Sequence, residues 1–438
     1  MGRRHRGVQR GDRRPRRGLR EVRDRMSTTT LPAVGQEALA AASARQDDAV
    51  RFLRDLIAIP AESGKEEARC RRVREEYEKL GFDEVWFSGL GSVVARVGSG
   101  PLRILMDGHI DCVGVGDPSA WRYDPFRGKL EDGKVYGRGA VDELPAISAM
   151  AYGAKLLAER GVPEDVTVYL CASVMEEDCD GLPLLQLIER EGLRPDVCVL
   201  GEPTDLNVYR GHRGRMEMTI TTKGVSAHGA HSERGVNAVY RMAKVVREVE
   251  ELNGRLASDP FLGKGSIIVS YISCKSPSLC AVPDECTVHL DRRLTVGETV
   301  ETAMDEVRGL PSVKACEAVV TLLGYDAVGW NGARAYQEKY FPTWVLPESH
   351  PLVAGTVEAV ETVLGRTPAV SRWSFSTNGV ATMGRLGIPT VGFAPGLEEL
   401  SHSTGEWVSV ADLVKATAVY SLIPAALAAR KDDLLRTR

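Results

Sequence analysis

The chain has 438 residues, 43% of them hydrophobic and 26% charged, with a formal net charge of −4 at pH 7. Those proportions describe an ordinary soluble globular protein, larger than one hydrophobic core usually serves, and they exclude a disordered chain. No continuous apolar run approaches the roughly 18 residues that a membrane span requires, so a membrane protein is not expected.

Charge is concentrated at the start: residues 1–25 hold eleven arginines against Asp12, Glu21 and Asp24. Nucleic-acid-binding arms and transit segments share such a composition. This one lacks the serines of a transit segment, no apolar signal core follows it, and Met26 in MSTTTLPAVGQ offers a second start. Residues 1–45 are therefore expected to be a basic, disordered arm, with neither nucleic acid nor a membrane as partner. Nine cysteines, an odd number with no CxxC pair, read as reduced thiols in a cytoplasmic protein.

From Asp47, DDAVRFLRDLIAI has helical periodicity and stops before Pro60. KEEARCRRVREEYEKLG predicts a second helix capped by Gly81. DEVWFS, SVVARVG and LRILMDG read as strands, AISAMAYGAKLLAERG as a helix, VTVYLCASV as a strand, LPLLQLIEREG as a helix and DVCVLG as a strand. Helices alternating with short, continuously apolar strands predict an α/β domain with a mostly parallel sheet buried on both faces. Near residue 212 the rhythm changes. RMEMTITTKG (strand), VNAVYRMAKVVREVEELNG (helix), SIIVSYISC and CTVHLDRRLTV (strands), VETAMDEVRGL (helix) and VKACEAVVTLL (strand) follow the ferredoxin-like β-α-β-β-α-β order. PLVAGTVEAVETVLG (helix) and IPTVGFAPG (strand) then resume the first pattern. The expected organisation is a catalytic domain of residues 46–211 and 329–438 interrupted by a second domain, 212–328.

The chemistry-bearing residues lie where the apolar strands end. In MEEDCDG, Glu176 and Glu177 are adjacent, and neighbours in an extended chain point to opposite faces, so both can serve one site only if the backbone turns there. ILMDGHIDC places His109 and Asp111 just past a strand, where open α/β sheets build their sites. A ligating imidazole usually donates its second N–H to a carboxylate, and Asp111 is the candidate. Asp142 in GRGAVDEL, Glu202 in VCVLGEPTD and His402 in APGLEELSHSTGEW occupy comparable loop positions. Two histidines and three carboxylates, with no thiolate, suit a pair of divalent ions, zinc first and cobalt or manganese as alternatives.

GHIDC, GRGAVDE, MEED, GEPT and SHSTGE resemble, in order and approximate spacing, the motifs of the dinuclear zinc amidohydrolase and peptidase family. That family includes acetylornithine deacetylase, succinyl-diaminopimelate desuccinylase, aminoacylase and glutamate carboxypeptidase. The resemblance spans residues 46 to 430. It implies that Asp142 bridges two metals, that His109 and Glu202 complete one and Glu177 and His402 the other, and that Glu176 is the general base. It also implies that the inserted domain is a lid and dimerisation domain. There KGVSAHGAHSERGVNA resembles the segment that carries a histidine, here His228, into the partner's site of a homodimer, while His231 is read as a solvated loop residue. AVPDECTVHLDRRL resembles the stretch whose arginine, here Arg293, binds a substrate carboxylate, and Thr377 matches a threonine lining the substrate pocket. The chain departs from the family pattern at Cys280, where asparagine is usual, and in FSTNGV, where GGTSDA is usual. Phe375, Ser376, Asn378 and Gly379 thus alter the pocket.

The expected function is metal-dependent hydrolysis of the amide bond of a small carboxylate-bearing compound, by deacetylase-like or peptidase action on an N-acyl amino acid or dipeptide. Alternatives are a carbamoyl-amide hydrolase of the same fold and a non-catalytic small-molecule-binding homologue, the latter disfavoured because a binder has no need of Glu176. A cysteine nucleophile at Cys112 or Cys179 would need an electropositive setting that the surrounding acids oppose. GLGSVV lacks the third glycine of a dinucleotide loop, and neither GxxxxGK[ST] nor GxSxG occurs.

Overall fold

The computed structural model describes residues 31–436. Four strands at the centre of its main sheet, in the order Val166–Ser173, Leu102–His109, Val197–Leu200 and Thr390–Gly392, run parallel. Antiparallel strands flank them, Val93–Gly98 and Glu84–Phe87 on one side and Val208–His212 with Trp344–Val345 on the other. The central strands are apolar along their length because helices cover them, giving the α/β class expected from the alternation. Leu144–Arg160 packs on Val410–Ala428, and Gly153 permits the close approach: a Cβ there would come within 2.7 Å of the Tyr420 Cβ. Val410–Ala428 is long and apolar enough to cross a membrane by length and composition. Here it is mostly buried, as a core helix.

A second core forms around Met216, Met218, Ile220, Met242, Val288 and Leu290. Its antiparallel sheet has the order Ser266–Lys275, Glu285–Leu294, Gly214–Lys223, Val319–Leu322, the ferredoxin-like arrangement. Alternation divides Gly214–Lys223 into a buried row, Met216, Met218 and Ile220, and a partly exposed row that includes Arg215, Glu217 and Thr219. The chain crosses between sheets at Arg213, between Val208–His212 and Gly214–Lys223.

Three expectations need correction. The arm does not extend to residue 45, because Leu31–Ala44 is a helix packed on Pro351–Leu364 and Val410–Ala428, with Ala38 and Ala42 buried. Gly35 lies so close to the Thr362 carbonyl oxygen that a Cβ would sit 1.7 Å from it; the small residues that made the segment look featureless are its packing surface. The arginine-rich part lies outside the described residues. VKACEAVVTLL is not one strand: Pro311–Ala315 is a helical turn, which proline at the first helical position favours, and the strand begins at Val319. The boundary at 328 is also crossed twice. Ala327 and Ala335 of the hairpin Gly324–Val328/Arg334–Glu338 already belong to the main core, yet Tyr340–Phe341 pairs again with Gly214–Lys223 before Trp344–Val345 rejoins the main sheet.

Candidate active site

The site stands at the carboxyl ends of the parallel strands, where Leu102–His109, Val166–Ser173 and Val197–Leu200 run into loops. His109 is buried, and its Nδ1 donates to the backbone carbonyl of Asp111 at 2.9 Å, whereas the Asp111 carboxylate is 3.7 Å away. The expected carboxylate–imidazole contact is therefore corrected: the carbonyl orients the ring. The Asp111 carboxylate instead accepts from Ser63 Oγ (2.7 Å) and from the backbone N–H groups of Glu176 and Glu177 (3.1 Å each). One residue earlier, Met175 adopts a left-handed conformation (φ 59°) and donates its N–H to Glu66 Oε1 at 3.0 Å. Two buried acids thus pin the turn that brings Glu176 and Glu177 to one cleft despite their adjacency.

Asp142 lies between the two histidines. Its Oδ1 is 3.0 Å from His109 Nε2 and its Oδ2 is 3.3 Å from His402 Nε2. Glu177 Oε2 is 3.1 Å from His402 Nε2, and Glu202 Oε1 and Glu176 Oε2 are 3.9 and 4.0 Å from His109 Nε2. All six residues line one cleft of about 230 Å³. Burial opposes a charged His109, but Glu143 and Asp142 overcome it and hold its pKa well above the ordinary value. Hydrogen bonding to the Asp142 and Glu177 carboxylates raises His402 to about 10. Burial, with neighbouring acids adding to it, pushes Glu176 and Glu202 well above the carboxylate range. Asp142, though buried, is held below that range by its bonds to His109 and His402.

Of the other expected residues, Arg293 lines the cleft, with its Nε and Nη2 on the Asp291 carboxylate at 2.8 and 2.9 Å. His228 does not line it. It is exposed, and its Nδ1 accepts from Ala230 N–H at 3.1 Å at the start of the turn Gly229–Arg234; His231 is exposed too. Thr377 is fully buried away from the cleft. His212 Nδ1 is 3.0 Å from both its hydroxyl and its N–H, and the hydroxyl accepts from Gly379 N–H. Its neighbours Phe375 and Ser376 face the cleft instead, so Thr377 is corrected from a pocket residue to one that seats His212. Asn378, at one of the departures from the family pattern, joins Asp107 (2.9 Å), Ser173 (2.8 Å) and Gly181 N–H (2.8 Å) beneath the site.

Sequence reasoning passed over four residues. Glu143, next to Asp142, is buried under the site and accepts the backbone N–H of His109. Arg138 and Glu406 form a buried pair at 2.7 Å, and Glu406 also accepts the N–H groups of Gly139 (2.6 Å) and His402 (2.9 Å). That pair ties the Asp142 loop to the His402 loop; the signal for it was the unassigned arginine and glutamate inside GRGAVDE and SHSTGE. Arg215, which had no motif, reaches the cleft from the inserted sheet. The thiols of Cys112 and Cys179 are pushed up to about 11 and about 12 by burial, which disfavours either as a nucleophile.

The family model described as "Peptidase family M20/M25/M40" matches residues 105–425. A relative named "Uncharacterized protein YgeY" from Escherichia coli (strain K12) is 46% identical over 379 residues, 86% of this chain and 94% of that protein. A succinyl-diaminopimelate desuccinylase of Dinoroseobacter shibae is 28% identical over 393 residues, 86% of this chain and 98% of the relative. Among solved structures, a dinuclear metal binding peptidase of the M20 family from Bacillus subtilis superposes with a TM-score of 0.65 over 88% of this chain and 99% of that one. At 13% identity that likeness is one of fold.

Proposed function

The chain belongs to peptidase family M20/M25/M40 and is a metal-dependent hydrolase of amide bonds, and on that footing we propose that it cleaves a small N-acyl amino acid or dipeptide with a free carboxylate, using two divalent cations. The observation that carries this reading is Asp142, with one oxygen toward His109 and the other toward His402. The donor set fits cations. Among the described residues, Glu143 Oε2, Glu176 Oε1 and Glu202 Oε2 are buried without a hydrogen-bond partner, a costly arrangement for carboxylates. Imidazole and carboxylate donors without a thiolate suit zinc, with cobalt or manganese as alternatives. In this reading Asp142 is shared, His109 and Glu202 complete one site, and His402 and Glu177 the other. When bound, such ions make a water acidic enough to react near neutral pH and stabilise charge developing on the scissile carbonyl oxygen.

The remaining steps belong to side chains. Glu176, its backbone held by Asp111 and its Oε1 unpartnered, takes a proton from the attacking water and delivers it to the leaving amine nitrogen. Arg293 presents the guanidinium edge that Asp291 leaves free to the substrate carboxylate. His228, exposed and outside its own cleft, serves the carbonyl oxygen of a second copy in a cytoplasmic homodimer. The exposed apolar side chains of Ile268, Tyr271 and Ile272 on the edge strand Ser266–Lys275 support such an assembly. The relative named a desuccinylase supports deacylation.

Metal analysis of purified protein, followed by a screen of N-acyl amino acids and dipeptides on zinc- and manganese-loaded samples, tests this. Chelation should abolish turnover and thiol alkylation should spare it; turnover that survives complete metal removal refutes the reading. Mixing inactive His228→Ala and Glu176→Gln proteins should restore about a quarter of the activity if His228 acts across a dimer.

A further inference from the structure

Two guanidinium groups, not one, face the cleft. Arg215 and Arg293 are directly opposite each other on the antiparallel strands Gly214–Lys223 and Glu285–Leu294, and both line the cavity that holds His109, Asp142 and Glu176. Like charges at opposed strand positions destabilise a sheet unless something offsets them. Asp291 does so for Arg293 and Asp180 for Arg215.

Arg215 is held rigidly. Its Nη2 donates to Asp180 Oδ1 at 2.8 Å, and its guanidinium lies over the Phe341 ring at 4.5 Å. Asp180 is itself buried and its other oxygen accepts the Ser376 hydroxyl, so one oxygen holds the arginine while the other anchors the carboxylate. Arg215 is left incomplete: its buried Nε has no partner, and Glu217 comes no closer to the guanidinium than 3.8 Å, at Nη1. A fixed guanidinium with unused donors in a substrate cleft matches the planar fork of a carboxylate.

Resting on the amide-hydrolase reading above, we propose that Arg215 is a specificity-determining residue that binds a second anionic group, so that the preferred substrate is a small amide carrying two carboxylates, one held by Arg293 and the other by Arg215. Both arginines line the same cavity of about 230 Å³, so one small substrate can meet both. Phe375 and Ser376, at positions where the chain departs from the family pattern, wall the same cavity and accompany this change of specificity.

Two matched pairs of probes test the proposal on the zinc-loaded protein. N-succinyl-alanine against N-butyryl-alanine places or removes a carboxylate on the acyl side; N-acetyl-glutamate against N-acetyl-norvaline does so on the amine side. The dianionic member of at least one pair should be preferred at least tenfold in kcat/KM. Arg215→Gln should reduce that preference to twofold or less, and Arg215→Lys should retain part of it. The double variant Asp180→Asn/Arg215→Gln, which leaves no buried acid unpaired, should match the single. A wild-type protein indifferent within both pairs, or a preference that survives Arg215→Gln, overturns the proposal and leaves Arg215 as the counter-ion of Asp180. If none of the four is hydrolysed, the proposed substrate class fails, and Arg215 is judged by calorimetric Kd values for the same probes on Glu176→Gln protein. Tighter binding of a dianion that depends on Arg215 upholds the role, and equal Kd values overturn it.

Discussion

Replacing Asp111 by asparagine isolates what holds the paired glutamates in place. The Asp111 carboxylate accepts three hydrogen bonds, from Ser63 Oγ and from the N–H groups of Glu176 and Glu177. Asparagine has the same shape but one acceptor oxygen, so its NH₂ would face one of the two backbone N–H groups. A hydrogen bond to a charged group contributes about 1.5–3 kcal/mol, and a buried N–H left unsatisfied costs about 1–3 kcal/mol. Three to four kcal/mol withdrawn from the turn corresponds to a fall of about 10²–10³ in kcat. The backbone carbonyl of Asp111 stays on His109 Nδ1, so the His109 half of the site should keep its zinc affinity while the Glu177–His402 half loses it. Calorimetric titration of Asp111→Asn in a His402→Ala background should therefore change little, and in a His109→Ala background should weaken binding markedly. A kcat within threefold of wild type, or loss confined to the His109 half, would falsify this account and restore the carboxylate as the partner of His109.

Glu176→Gln should leave zinc content near normal and lower turnover by about 10²–10⁴; simultaneous loss of metal would mean the residue is a ligand and not the base. Arg138→Met strands Glu406 in a buried position and should cost about 3–5 kcal/mol, seen as a lowered Tm, with Arg138→Met/Glu406→Gln less destabilised than the single variant; an unchanged Tm would show that the pair carries no structural weight. His212 is buried, accepts the Thr377 N–H and donates Nε2–H to the Pro342 carbonyl at 3.1 Å, and burial lowers its pKa from 6.5 to about 4. The unfolded chain binds this proton below pH 6.5 while the folded chain refuses it until about pH 4, so stability falls as pH drops through that window, by roughly 3 kcal/mol in all. Urea denaturation at pH 7 and 4.5 should show a smaller acid loss in His212→Gln, and equal losses would contradict the assignment.

What is legible in the sequence is what depends on near neighbours and on side-chain chemistry. Amphipathic spacing marks Gln46–Ile57, continuous apolar runs mark Leu102–His109 and Val166–Ser173, and Gly-rich loops carrying His109, Asp142, Glu177, Glu202 and His402 mark where donors collect. Errors arose where the local pattern was silent or divided. Asp111 offers a carbonyl and a carboxylate, and only the path of the chain decides which one meets His109. Alternation alone cannot say whether Thr377 or Ser376 faces the cleft; His212, 165 positions away, draws the threonine inward. The alanines and glycine of Leu31–Ala44 carry no strong period, and their role appears only against Pro351–Leu364.

By itself, then, the amino-acid order determined the two sheets and the imidazole and carboxylate donors at the ends of their strands, because hydrophobic periodicity and donor chemistry are properties of short stretches; the kind of reaction was legible only through the resemblance of five motifs to a known family. The crossing of the strands decided the rest: that both histidines share Asp142, that Arg138 reaches Glu406 across 268 positions, and that Arg215 stands beside Arg293. Such meetings depend on which distant segments lie side by side in a sheet or at its ends, and no local preference encodes them.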